Sequence, residues 1–285
     1  MKPMLGCCLR RFWSVGVAAL IAIAAAGGAP AHAEFAISPL RQVITAESPE
    51  ATFMISNPSA RRLEARIRWI DLQAEDEGYR PASPELRDRL SAARYLTVTP
   101  SALTLGPGER AAIRIALRAD RNPGPGERRS HLLIETDAVR TPLRNAGGGM
   151  QADIGLGVSA PVILRAGSGA AGAAIGDTRL TRLGDGLLAL ETAVLPKGAF
   201  SAFGRLAVRF RAAGETRERA LGTVRNVAAY ADAPLRLVTV ALGREHLPQG
   251  RMTVRYEGEG EFAGQVFAER VFSIAAPPPG DDSGS

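Results

Sequence analysis

The run Met150-Gln151-Ala152-Asp153-Ile154-Gly155-Leu156-Gly157-Val158-Ser159-Ala160-Pro161-Val162-Ile163-Leu164 alternates strictly. Its even positions are all apolar, and its odd positions up to Pro161 are small, polar or proline. Successive side chains of a strand leave opposite faces, so the stretch predicts a long β-strand with one continuous apolar row. Asn145-Ala146-Gly147-Gly148-Gly149 releases the chain just before it. A long apolar strand at a sheet edge invites pairing with other chains unless charges or bulges blunt it. Asp153 is the one charge in the first ten residues of this strand. Either the row is buried in its own domain, or it is built to be covered by another chain.

The surroundings are also β. Helical periodicity is nearly absent, and seven strand candidates lie between Phe35 and Leu164: Phe35–Thr45, Thr52–Asn57, Leu63–Leu72, Tyr95–Thr99 with Leu103–Leu105, Ala111–Leu117, Arg129–Thr136 and Met150–Leu164. Leu63, Ala65, Ile67 and Trp69 alternate with Glu64, Arg66 and Arg68, while Asn57-Pro58-Ser59 and Gly106-Pro107-Gly108 mark turns. Short strands at this spacing, with a tryptophan on the third, predict an immunoglobulin-like sandwich. The charged stretch Glu85–Arg94 reads as a short helical or irregular excursion. Gly167–Gly172 is small and uncharged and reads as a linker. Beyond it, candidates recur at Leu187–Val194, Arg205–Arg211, Leu221–Val227, Leu235–Leu242, Arg251–Tyr256 and Gln265–Ile274. The expectation is an all-β chain with two sandwich domains, residues 34–166 and 167–276, and a disordered Pro-, Gly- and Ser-rich tail at 277–285.

Residues 1–33 read as a secretory signal peptide. Lys2, Arg10 and Arg11 precede an apolar run from Phe12 to Ala26, and Ala31-His32-Ala33 offers a small-x-small cleavage site. Both cysteines, Cys7 and Cys8, lie ahead of that run, so the mature chain has none and must be held together by packing in an oxidising compartment. Losing three positive charges and no acids lowers the formal net charge from +6 to +3, which is a mixed surface and no nucleic-acid footprint. No later apolar stretch is long enough for stable membrane insertion.

Four motifs in order carry a resemblance. Arg41-Gln42-Val43-Ile44, followed without insertion by Phe53-Met54-Ile55-Ser56-Asn57, resembles the opening of the periplasmic chaperones of chaperone–usher pilus assembly, the PapD-like family. Thr99-Pro100 with Leu105-Gly106-Pro107-Gly108-Glu109 and Ile113-Arg114-Ile115 is similar to a further segment of that family. Arg129-Ser130-His131-Leu132 and Ala160-Pro161-Val162-Ile163-Leu164-Arg165 resemble its sixth and seventh strands in the form used by the archaic branch. The resemblance spans residues 35–166, and it reaches the second domain only in length and β-character.

What the resemblance implies is specific. Two immunoglobulin-like sandwiches in a boomerang arrangement would bind pilus or fimbrial subunits in the periplasm by donor-strand complementation and deliver them to an outer-membrane usher, without cofactor or turnover. Ala152, Ile154 and Leu156 match the family's inserting residues, and Met150 and Val158 flank them with the same parity. Burying each such side chain is worth roughly 1.5–3 kcal/mol, enough for a few anchors and a main-chain ladder to hold a subunit. Arg41 matches the first of two basic residues that grip the subunit's C-terminal carboxylate, a task suited to a planar guanidinium. The second departs from the pattern, because Pro161 stands where relatives carry lysine. Arg165 shares its parity but lies roughly 13 Å further along the strand, so Arg129 on the neighbouring strand is the better candidate. An exposed edge also leaves self-association of the free chain open.

Other chemistry finds little support. The mature chain keeps only His131 and His246, far apart and without cysteine, which suits neither a nucleophile–base pair nor a zinc site. His131 reads as a packing or hydrogen-bonding residue, and His246 as a loop residue. Glu257-Gly258-Glu259-Gly260-Glu261 lacks calcium-loop spacing and reads as a solvated turn. A secreted structural or adhesive sandwich without a client, and a carbohydrate-active enzyme with clustered carboxylates, are the rival classes.

Overall fold

A computed structural model describes residues 35–136, 157–184, 186–243 and 246–275. The signal-peptide stretch, the C-terminal tail, and Met150, Ala152, Ile154 and Leu156 lie outside the described residues.

The first sandwich is built from β1 (Ala36–Ser38), β2 (Gln42–Ile44), β3 (Glu50–Ser56), β4 (Leu63–Ile70), β7 (Leu96–Thr99), β8 (Ala102–Leu105), β9 (Arg110–Leu117), β10 (Gly126–Thr136) and β11 (Gly157–Ala166). One sheet runs β1-β3-β9-β7 and the other β2-β11-β10-β4-β8. A short first strand that switches sheets and joins the last strand in parallel is the immunoglobulin-type closure. Alternation drives the packing: Phe53 and Ile55, Ile113 and Ile115, Leu132 and Ile134, and Val162 and Leu164 all point between the sheets and are buried. Trp69 packs against that core from β4. Asn57 is buried and fully used, its amide nitrogen donating to the carbonyls of Arg61, Leu105 and Gly106 and its Oδ1 accepting from Ser59. The hairpin β5 (Leu72–Ala74) and β6 (Tyr79–Pro81) precedes the charged excursion, which opens with the helix α1 (Pro84–Leu90), capped by Ser83.

Two expectations are corrected here. Phe35–Thr45 is not one strand: Pro39, which has no N–H to give a ladder, falls between β1 and β2, and these pair in different sheets. The linker is also shorter than read, because Ala171 and Gly172 already belong to β12 (Ala171–Arg182). Small residues hid that strand's period. Gly172 is needed for close approach and not for flexibility, since a Cβ there would lie 2.9 Å from the Lys197 carbonyl oxygen.

The second sandwich adds β13 (Leu188–Gly198), β14 (Ala202–Ala212), β15 (Arg219–Ala229), β16 (Arg236–Gly243), β17 (Gly250–Gly258) and β18 (Val266–Ile274). Its sheets run β12-β13-β16 and β15-β14-β17-β18 around a separate core that includes Leu206, Val208, Phe210, Val254 and Tyr256. The two sandwiches meet over a small apolar cluster of Ile163, Ala74, Tyr230 and Ala233. The Leu237 amide donates to the Asp76 carbonyl across the same joint at 2.8 Å.

Candidate strand-docking edge and carboxylate cleft

β11 has two unlike faces and two unlike halves. Its even residues Ala160, Val162 and Leu164 enter the first core and Val158 packs against it, whereas odd-numbered Ile163 enters the cluster between the sandwiches. Along its whole length it pairs antiparallel with β10, from Glu135↔Gly157 to Gly126↔Ala166. On its other side, parallel β2 covers only Val162–Leu164, starting at Gln42↔Val162. Among the described residues, Gly157–Pro161 therefore has no strand on its outer edge. That lane is about 16 Å long, and it stops where Arg41 precedes Gln42.

Arg41 is held rigidly at that stop. Its Nη1 donates to Glu261 Oε2 at 2.8 Å and its Nη2 to Glu261 Oε1 at 2.9 Å. The guanidinium lies 4.6 Å from the centroid of the Phe203 ring, and the side chain is only 7% exposed. Its Nε is buried without a partner. Glu261 Oε1 also accepts from Arg165 Nη1 at 3.0 Å. Burial pushes the Glu261 carboxyl up, but the Arg41 hydrogen bonds and the charges of Arg41 and Arg165 outweigh it and hold the group below the usual carboxylate range. The acidic run at 257–261 is thus not a solvated turn: Glu257 pairs with Arg205, Glu259 with Arg225, and Glu261 with two arginines.

Arg129 is 1% exposed and both of its terminal nitrogens are occupied, while its Nε is buried without a partner. Nη1 and Nη2 reach the two Asp232 oxygens at 2.8 Å each, Nη2 also donates to the Leu72 carbonyl, and the Tyr230 ring lies 3.8 Å below the guanidinium. Desolvation works against the charge, and the Asp232 hydrogen bonds overcome it. Arg165 is likewise internal, bonded to Glu127 Oε2 and to the Ser201 carbonyl at 2.9 Å each. Arg129 and Arg165 both tie the first sandwich to the second; Arg129 and Asp232 line a separate cavity of about 390 Å³ with Arg89 and Arg128, whereas Arg41 borders the open space at the end of the lane.

That space is a cleft of about 280 Å³ between the sandwiches, lined among others by Leu40, Arg41, Tyr79, Pro161, Phe203 and Arg236. Arg236 was not a sequence candidate. Its guanidinium donates to the Asp76 carbonyl at 3.4 Å, and its position on β16 gives no sequence cue that it shares a cleft with Arg41. His131 lies nearby, buried, its ring 4.9 Å edge-on from Tyr79 with neither nitrogen partnered. Among the described residues its ring packs and makes no hydrogen bond. Burial, and then the charge of Arg129, lower its pKa to about 3. His246 is exposed. Among the described residues no cluster of three or more His, Cys, Asp or Glu could hold a metal ion, and no helix is long and apolar enough to cross a membrane.

No protein-family model and no curated protein matches the chain. Solved structures do resemble it at low identity. The YadV chaperone is 11% identical, with a TM-score of 0.43 over 85% of this chain and 100% of that one. The CsuC–CsuE chaperone–tip adhesion subunit complex of Acinetobacter baumannii is 12% identical, with a TM-score of 0.41 over 85% and 99%. The Salmonella enterica SafA pilin in complex with the SafB chaperone gives 15% identity and a TM-score of 0.39 over 84% and 96%.

Proposed function

We propose that this chain is a periplasmic chaperone of the PapD-like, archaic-type kind, which holds pilus or fimbrial subunits by lending them its alternating strand and delivers them to an outer-membrane usher. The observation that carries this is the uncovered outer edge of Gly157–Pro161 ending at Arg41. An added strand satisfies main-chain groups on such an edge and gains affinity from them. The cation at the end of the lane also sets the guest's direction. β2 runs parallel to β11 in the same lane, so a guest running parallel ends with its C-terminal carboxylate at Arg41. An antiparallel guest would bring a charged amine there, against a guanidinium.

Upstream of the described edge, Met150, Ala152, Ile154 and Leu156 continue the parity of Val158 and would supply side chains to the guest's open core. Arg41 supplies the carboxylate contact. Arg129, with both of its terminal nitrogens on Asp232, serves this role by fixing the joint that frames the cleft.

Periplasmic co-expression with the small secreted proteins encoded beside its gene tests the function. A stable complex with one of them, lost when the alternating row is charged, supports it. Secretion of the chain with none of them bound supports a structural or adhesive sandwich instead.

A further inference from the structure

Arg41 is not idle while the lane is empty. A guanidinium 7% exposed is costly without an anion, and Glu261 provides one in the two-pronged geometry that a terminal carboxylate would adopt. We propose that Glu261 is an internal stand-in for the guest's C-terminal carboxylate, occupying Arg41 in the free protein and yielding it when a chain end arrives. This rests on the strand-lending role proposed above.

Three features make the exchange inexpensive. Glu261 has a second cation, Arg165 at 3.0 Å, which is itself anchored on Glu127 and Ser201. Releasing Arg41 therefore does not strand a buried carboxylate. Arg41 keeps a buried Nε without a partner, so the guanidinium has a donor in reserve when its terminal nitrogens change partner. The extra negative charge is balanced as well: Arg236 lines the same cleft and has no carboxylate partner among the described residues. With a guest in place, Arg41, Arg165 and Arg236 stand against Glu127, Glu261 and the new terminus, while Glu75, which also lines the cleft, is paired with Arg80.

Glu261 then sets a threshold for what is captured. A chain end carrying a carboxylate can compete for Arg41, whereas an uncharged end or an internal loop of similar apolar pattern cannot. Weak strands would be rejected by a contact made within the protein.

The test uses two synthetic peptides of one alternating apolar sequence, one ending in a free carboxylate and one in an amide, titrated into the purified protein and its Glu261→Gln and Arg41→Ala variants. The carboxylate peptide is expected to bind Glu261→Gln about tenfold tighter than the unaltered protein, the worth of one charge-assisted hydrogen bond, with no change for the amide. In the unaltered protein, saturation with the carboxylate peptide is expected to shift the Glu261 side-chain carboxyl resonance, and the amide is not. That measurement stands even where Glu261→Gln fails to fold. Unchanged or weaker carboxylate binding by a folded Glu261→Gln overturns the stand-in while the preference for carboxylate over amide still supports Arg41 as the clamp. Equal binding of both peptides by the unaltered protein and by Arg41→Ala overturns the clamp. Binding of neither peptide to any of the proteins overturns the open lane, and the stand-in with it.

Discussion

Arg129 and Asp232, 103 residues apart in sequence, meet across the joint of the two sandwiches through two hydrogen bonds of 2.8 Å. The arginine comes from β10, beside β11, and the aspartate from the turn after β15. Asp232→Ala would leave a buried cation unpaired, and the expected loss in urea unfolding is about 3–5 kcal/mol. The double variant Arg129→Met with Asp232→Leu should recover much of it, since neither charge then needs a partner. A loss below about 1 kcal/mol for Asp232→Ala would mean that solvent reaches Arg129.

His131 gives the fold an acid-sensitive point. Its folded pKa of about 3 lies below the ordinary 6.5, so between these values the unfolded chain binds a proton that the folded ring does not. Stability from this group is full above about 6.5 and falls with pH by about 1.4 kcal/mol per unit until about pH 3. Carboxylates held low, Glu261 among them, titrate below the ordinary carboxylate range. Unfolding at pH 6.5 and pH 5 should therefore differ by about 2 kcal/mol, and His131→Phe should remove most of the difference. Equal slopes for both proteins would contradict the buried, unpartnered ring.

Arg41→Ala separates binding from folding. Glu261 keeps Arg165, so the expected cost in stability is about 1 kcal/mol. Capture of a client should fall by at least an order of magnitude, as expected for the loss of a two-pronged carboxylate contact. Full unfolding of the variant would make Arg41 a structural residue only.

Leu156→Asp tests the apolar row itself. A charge on that row would have to enter the guest's core unpaired, which is prohibitive. Co-purification of the client should be lost while the melting temperature of the free chain is unchanged. Undiminished co-purification would sink strand lending.

Local pattern and distant pairing differed sharply in how far the sequence exposed them. The two-residue period from Val158 to Leu164, the alternation about Trp69 and the run from Arg41 to Asn57 are local, and each led to an element that is present. β12 escaped because Ala171, Gly172, Ala173 and Ala174 carry too little side chain to show a period. The site depended on contacts with no local trace. Arg41 and Glu261 are 220 residues apart, and nothing in Glu257–Glu261 tells a solvated acidic turn from three carboxylates each claimed by arginine. Arg129 and Arg165 illustrate the same limit: order along the chain located their strands, but only the fold shows that the second sandwich occupies their charge.

The outer edge of β11 is where the account is most exposed. Hydrogen exchange should be followed residue by residue in the free protein and in its complex with a client subunit, reading the amides of Gly157–Ala160 that do not bond to β10. Binding is expected to slow their exchange by orders of magnitude while β18, at the far sheet edge, is unchanged. A tightly bound client that leaves those amides exchanging as in the free protein would mean that no strand is added there.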